Sequence, residues 1–153
     1  MKKELEIFRK TRTFLLSIIN DLTTEQLNLI PTGFNNNVVW NLGHLVAAQQ
    51  GVCYVRGGLP MVVEEKYFLA YKPESKPAGY INDAEIEVLK AQLLSTIDKL
   101  EEDLAANVFA ANPSWTNRYG VEHATIADSI RFLLFHDGLH LGYIMALKRV
   151  VKA

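Results

Sequence analysis

The sequence predicts an all-α fold, a four-helix bundle with a long connection between its second and third helices. Four stretches of the chain carry apolar residues at helical spacing, residues typical of helix ends flank them, and no stretch shows a convincing strand pattern. The 153 residues amount to about one domain, so we expect a single domain over residues 1–153. A hormone-like helical bundle is the structural alternative.

The first two helices are predicted over residues 3–20 and 38–56. The apolar stripe of the first contains Leu5, Phe8, Leu15, Ile19 and Leu22. Arg12 is the one polar interruption of that stripe. The second helix follows Asn37, whose side chain can accept a hydrogen bond from an unpaired backbone N–H, and it stops at Gly57.

The last two helices are predicted over residues 83–106 and 125–151. The third begins after Asn82, another residue that favours a helix N-terminus, and the fourth begins with the capping sequence from Thr125 to Asp128. The fourth is apolar on most sides, so we expect it to be the most buried helix. Residues 107–122 between them are predicted to form a loop.

The connection over residues 57–82 is the least regular part of the chain. It contains Pro60, Pro73 and Pro77, and an apolar segment around Tyr67–Tyr71 predicts a short helix there. Connections of this length are uncommon inside a domain and often carry function. We therefore expect a crossover that covers one end of the bundle.

The composition argues against several classes of protein. A net charge of −1 provides no field to attract nucleic acid or an anionic membrane. No apolar run approaches the ~18 residues of a transmembrane helix, and the N-terminal residues do not resemble a signal peptide. Cys53 is the only cysteine, so an intrachain disulfide is impossible. A cytoplasmic protein that binds neither nucleic acid nor membrane is the expectation.

Histidines carry the strongest functional signal. His136 and His140 lie four residues apart, so both side chains leave the same face of the fourth helix and can take adjacent positions on a metal ion. His44 on the second helix is the third candidate ligand. Taken alone, His44 is better explained as a core histidine bonded to a backbone carbonyl or to Asn41. Three inward histidines favour a metal site, with the fourth coordination position left for water or substrate.

Neighbouring residues define the rest of the predicted site. A pocket lined by Ala47, Ala48, Gly51 and Tyr143 is expected beside the histidines. No Asp or Glu lies on the histidine-bearing faces within one turn of them. His123 is expected at the surface or behind the ligands, and Asp137 is expected to bond another helix. Cys53 is half a turn out of phase with His44 and is expected in the core.

Two motifs resemble the DinB-like (DinB/YfiT) superfamily of metalloenzymes. They are the segment from Trp40 to Leu45 and the segment from His136 to Ile144, supported by the helix start at Thr125–Asp128. The resemblance implies a four-helix bundle, often a homodimer, in which His44, His136 and His140 bind zinc or nickel. Characterised members of that superfamily include enzymes that use low-molecular-weight thiols, such as S-transferases and a thiol-dependent isomerase.

Several functions remain open at this point. The leading hypothesis is a metal-dependent enzyme that transfers a small thiol to an electrophile, because a coordinated thiol is deprotonated without a base. A metal-dependent hydrolase is the second. A non-enzymatic metal-binding or stress-associated module, and a structural bundle that has lost its metal, are the others. Metal affinity is expected to fall as pH drops through about 6.5, because a ligating histidine must be neutral.

Overall fold

Four long helices form the fold in the computed structural model, which describes residues 1–153. The long helices are α1 (Lys2–Ile19), α3 (Val38–Cys53), α5 (Asp83–Ala105) and α6 (Ile126–Val151). Short helices α2 (Thr24–Asn28) and α4 (Glu65–Tyr71) lie in the connections, and a 3₁₀ turn, Val55–Gly57, follows α3. Two-residue strands β1 (Trp115–Thr116) and β2 (Glu122–His123) form an antiparallel hairpin between α5 and α6. The all-α prediction is confirmed.

Capping residues set the starts of three long helices. The Asn37 side chain accepts a hydrogen bond from the Trp40 N–H at 2.7 Å, and Asn82 caps α5 in the same way. Thr125 and Asp128 form a reciprocal capping box at the start of α6. These interactions are local, which explains why the predicted helix starts lie within one or two residues of the observed ones.

The four long helices surround a common core. α1 packs between α5 and α6, and α3 packs between the same two helices on the opposite side. Every residue of α3 except Gly51 is buried, because α4 also covers this helix. The prediction that the fourth helix is the most buried was wrong. Most residues of α6 stay at least partly exposed, including the large apolar side chains of Phe135 and Leu139.

A buried arginine joins the four long helices at the centre of the core. Arg12 on α1 is fully buried, and its Nε donates to Oδ2 of Asp137 on α6 at 2.8 Å. The two terminal nitrogens donate to the carbonyl oxygens of Leu93 on α5 and Leu45 on α3. The polar interruption in the α1 stripe is therefore a specific contact, and the expectation that Asp137 bonds another helix is confirmed. Removing one partner of such a pair would leave an uncompensated buried charge.

The long connection lies against α3 through α4. A Cβ atom added to Gly43 would lie 2.3 Å from the Tyr71 ring, so only glycine permits this approach. Trp40 also holds the connection, because its Nε1 donates to Ser75 Oγ at 3.0 Å. The predicted short helix in this segment is confirmed, and it covers the side of α3 that carries His44.

The loop predicted over residues 107–122 contains the unpredicted hairpin. Trp115 pairs with His123 and Thr116 with Glu122, and strands this short show no alternation that a sequence pattern could reveal. The structure contains no helix that combines the length and the apolar character needed to span a bilayer.

Candidate metal centre

Three histidines converge between α3 and α6. Their ring centroids are 4.8 Å apart for His44 and His140, 5.3 Å for His44 and His136, and 4.5 Å for His136 and His140. One nitrogen from each ring lies within 4.8 Å of the others. Because metal–nitrogen bonds are about 2.0–2.1 Å long, small side-chain rotations suffice for all three to reach one ion.

Hydrogen bonds fix the orientation of two of the rings. Nδ1 of His44 lies 2.7 Å from the Tyr71 carbonyl oxygen, which can only accept, so this nitrogen carries the proton. Nδ1 of His140 donates to Oδ1 of Asn41 at 2.8 Å, and Asn41 is oriented by its own donation to the Asn37 carbonyl. In both rings Nε2 is then the unprotonated nitrogen, which is the form that binds metal.

His136 provides the structural test of whether the residues fit a metal ion. Its Nδ1 is buried and has no hydrogen-bond partner within the chain. Buried polar atoms without partners are rare and unfavourable. Three neutral imidazoles are a donor set suited to zinc or nickel. The residues therefore fit a divalent ion. The alternative interpretation of His44, a histidine bonded to a backbone carbonyl, is compatible with metal binding, because that bond uses Nδ1 and leaves Nε2 available.

Burial keeps the three rings neutral. It lowers the pKa of His136 to about 3, with the neighbouring His140 and His44 adding to the effect. It also lowers the pKa of His140 to about 4, with His44 contributing, and it lowers the pKa of His44. No proton has to leave these rings at neutral pH before an ion can bind.

Aromatic side chains hold the rings from outside. Trp40 stacks on His44 with 4.6 Å between ring centroids and 12° between the ring planes. The ring centroid of Phe132 lies 6.0 Å from that of His136. Trp40 thus packs against the ring of a candidate ligand.

The centre opens into a cavity of about 770 Å³. Ala47, Ala48 and Gly51 lie in its wall, as the sequence predicts. Tyr143 does not: its ring packs edge-on against Phe34 with 5.6 Å between centroids. The cavity extends from the histidines toward the N-terminal half of α6, whereas Tyr143 lies almost two turns beyond His136 in the other direction.

Charged residues in the cavity wall were missed by the sequence analysis. They are Arg56 after α3, Glu74 after α4, and Arg118 in the hairpin turn. None of them lies within ten residues of His44, His136 or His140 in the sequence. The proline-rich connection was predicted to cover one end of the bundle, and Glu74 lies in that connection. Nothing in the sequence indicated that Arg118 would reach the cavity.

Two further residues clarify the limits of the site. Of the two positions expected for His123, the surface is wrong: the residue is 5% exposed, its ring stacks on Trp115, and its Nε2 lies 2.9 Å from Nδ2 of Asn117. It does not join the histidine cluster. Cys53 is fully buried in the core, and burial raises its thiol pKa to about 12, so it stays protonated.

Comparison with known families decides the classification. The model of the DinB superfamily matches residues 7–144, which include all three histidines. The chain belongs to the DinB superfamily. The resemblance drawn from the two histidine motifs is thereby confirmed. The comparison with curated proteins gave no match. Since superfamily membership by itself identifies no reaction, the function has to be argued from the site.

Proposed function

We propose that His44, His136 and His140 bind one divalent ion, zinc or nickel, and that the protein is an enzyme transferring a small thiol to an electrophile. The observation that carries the proposal is the convergence of three neutral imidazoles beside a cavity. Three protein ligands leave a coordination position open to a ligand, which is the arrangement of catalytic rather than structural zinc sites.

Two features of the chain support thiol binding at a bound ion. Tyr71 and Asn41 hold two of the imidazoles in the tautomer that presents Nε2. The small side chains at Ala47, Ala48 and Gly51 leave room beside the centre for the body of a thiol. When bound, the ion supplies a positive charge that lowers the pKa of a coordinated thiol, so no general base is required. In the transfer, sulfur bonds to an electrophilic carbon, the leaving group departs with its electron pair, and the thiol proton passes to solvent.

Metal content tests the first half of the proposal. We expect each of the variants His44→Ala, His136→Ala and His140→Ala to lose most of the bound metal in elemental analysis. His123→Ala should keep it, because His123 bonds Asn117 and lies outside the cluster. An equal loss from His123→Ala would contradict this assignment of ligands.

Turnover tests the second half. The zinc- and nickel-loaded protein is incubated with several biological thiols and the model electrophile 1-chloro-2,4-dinitrobenzene, with His44→Ala as the control. We expect at least one thiol to give adduct formation above that control. If no thiol does so while metal stays bound, the transferase assignment is rejected in favour of hydrolysis or a metal-binding role.

Hydrolysis is the second candidate, and Glu74 is the observation that favours it. Its carboxylate belongs to the cavity wall, and its backbone φ of 71° is a conformation that residues other than glycine rarely adopt. A carboxylate there could act as the general base that the histidine-bearing helix faces lack. Hydrolysis of an ester substrate without any thiol, lost in Glu74→Gln with metal retained, would establish this alternative.

We also propose a homodimer, as the superfamily resemblance implies. Phe135, Leu139 and Tyr143 lie at four-residue intervals on α6 and are 53%, 49% and 36% exposed. Gly138 and Gly142 beside them have open space where a Cβ would lie, so a second helix can approach closely. Light scattering should give twice the chain mass of 17.3 kDa. Tyr143→Glu should shift it to one chain, and a monomeric wild type would reject the proposal.

A further inference from the structure

We propose that Arg118, assisted by Arg56, forms an anion subsite in the cavity and selects thiols that carry a carboxylate. This inference rests on the proposed binding of a thiol at the metal centre. It adds the chemical class of that thiol, which the histidine cluster alone does not specify.

The charge of the cavity wall favours an anion. Arg118 and Arg56 both line the cavity, and Glu74 is the one carboxylate there. With the histidines neutral, the cavity is net positive even before an ion binds, although the whole chain has a net charge of −1. A positive cleft with apolar walls concentrates anions locally.

Neither guanidinium group is paired with a carboxylate of the chain. Three other arginines pair with carboxylates: Arg9, Arg12 and Arg131. Neither Arg56 nor Arg118 has a carboxylate within salt-bridge distance. The planar fork of donors in arginine matches a carboxylate through two parallel hydrogen bonds. A ligand carboxylate would complete these contacts.

Hydrogen bonds define the turn that carries Arg118. Oδ1 of Asn117 accepts hydrogen bonds from the backbone N–H groups of Tyr119 at 2.9 Å and Val121 at 3.0 Å. The Asn117 backbone N–H donates to the Val121 carbonyl at 3.0 Å, and Gly120 adopts the positive φ of 80° that the turn requires. A rigid turn positions the base of the arginine side chain.

Anchoring of the hairpin directs this turn toward the metal centre. Trp115 donates from Nε1 to Ser129 Oγ on α6 at 3.0 Å, and its ring packs edge-on against Phe132, one turn before His136. Arg56 also contacts Trp115, with its guanidinium carbon 4.3 Å from the centroid of the Trp115 ring. Consistent with proximity, the charge of Arg118 adds to burial in lowering the pKa of His44.

Matched thiols provide the test. Cobalt-substituted protein is titrated with 3-mercaptopropionate and with its neutral counterpart 3-mercaptopropionamide, then with the four-carbon acid and amide, and binding is followed by cobalt absorption. We expect at least one acid to bind about 10-fold or more tightly than its amide, since a charged hydrogen-bonded pair is worth roughly that factor. Arg118→Gln should reduce this preference to about 2-fold or less, and Arg118→Lys should retain part of it.

Arg149→Gln is the matched control, because Arg149 is exposed, has no carboxylate partner and lies outside the cavity. It should keep the wild-type preference. Equal affinities of acid and amide in the wild type would overturn the subsite while leaving thiol binding intact. A preference that survives Arg118→Gln would also overturn it. A cobalt spectrum that responds to no thiol would overturn both the subsite and the thiol binding on which it rests.

Discussion

Asn41 on α3 accepts a hydrogen bond from Nδ1 of His140 on α6, with 2.8 Å between Oδ1 and Nδ1. The amide cannot turn over without losing its donation to the Asn37 carbonyl at 2.7 Å. Asn37, which caps α3, therefore also orients the Asn41 amide, and that amide orients the His140 imidazole. The start of one helix thus sets the tautomer of a candidate ligand on another.

Asn41→Ala is expected to weaken metal binding by about 10- to 100-fold, the usual effect of losing a residue that orients a metal-bound histidine. A chelator competition titration measures this change. Asn28→Ala is a matched control, because Asn28 also bonds backbone carbonyls through its amide but its side chain bonds no histidine. Unchanged affinity in Asn41→Ala would show that the His140 tautomer does not depend on this bond.

Gly43→Ala is expected to lower both stability and metal affinity. The added methyl group would meet the Tyr71 ring at 2.3–2.6 Å, so α4 would have to move away from α3. That movement would also displace the Tyr71 carbonyl, which accepts a hydrogen bond from Nδ1 of His44. Overpacking of this kind costs about 1–3 kcal/mol in the free energy of unfolding, which urea denaturation would measure.

Gly51→Ala on the same helix is the control for that prediction. Its added methyl group would meet Phe68 at 3.5 Å, an ordinary contact, and the helix would gain up to about 1 kcal/mol from replacing glycine. It should keep metal affinity. Helix propensity favours alanine at both positions, so equal destabilisation of the two variants would mean that the approach of Tyr71 to Gly43 does not control the result.

The features that could be predicted from sequence are those that depend on local interactions. Asn37, Asn82 and Thr125 mark helix starts because a cap contacts residues within one turn. His136 and His140 were identified as a pair because helical spacing alone places them on one face. By contrast, Arg118 reaches the cavity only because the hairpin packs on α6, which depends on contacts distant in sequence.

The burial of α6 shows the same limit. Its apolar residues occur on most sides, and the pattern cannot tell a side that packs in the core from a side that stays open. Phe135 and Leu139 are about half exposed, whereas α3 is covered by α4 as well as by the bundle. Which of two apolar helices becomes central is decided by where the connection lies.

The metal-free protein should lose stability as pH falls from about 6.5 toward 4. The pKa of His136 is lowered to about 3 and that of His140 to about 4, whereas in an unfolded chain both titrate near 6.5. The unfolded state therefore binds protons that the folded state excludes. Each of these histidines should cost up to about 1.4 kcal/mol per pH unit in this window. Urea denaturation of the metal-free protein at several pH values measures the slope.

The double variant His136→Gln/His140→Gln isolates that contribution, because it leaves the carboxylates unchanged. Its stability should depend less steeply on pH between 6.5 and about 4; parallel curves for variant and wild type would contradict the shifted pKa values. The lowered pKa values also revise the sequence-based expectation for metal binding. Protons compete with an ion for folded His136 and His140 mainly below about pH 4. Loss of metal from these two residues near pH 6 should therefore accompany unfolding.

Ala48→Phe is expected to block thiol binding while metal remains bound. Ala48 lies one helical turn after His44 and lines the cavity, so a phenyl ring there would occupy the space proposed for the body of the thiol. Elemental analysis should give an unchanged metal content, and titration of the cobalt form should show thiol affinity reduced about 10-fold or more, the loss expected when binding surface worth at least 1.4 kcal/mol is blocked. Ala91→Phe, the same change at an exposed position of α5, should behave as wild type. Wild-type thiol affinity in Ala48→Phe would place the thiol elsewhere and remove this cavity from the proposed function.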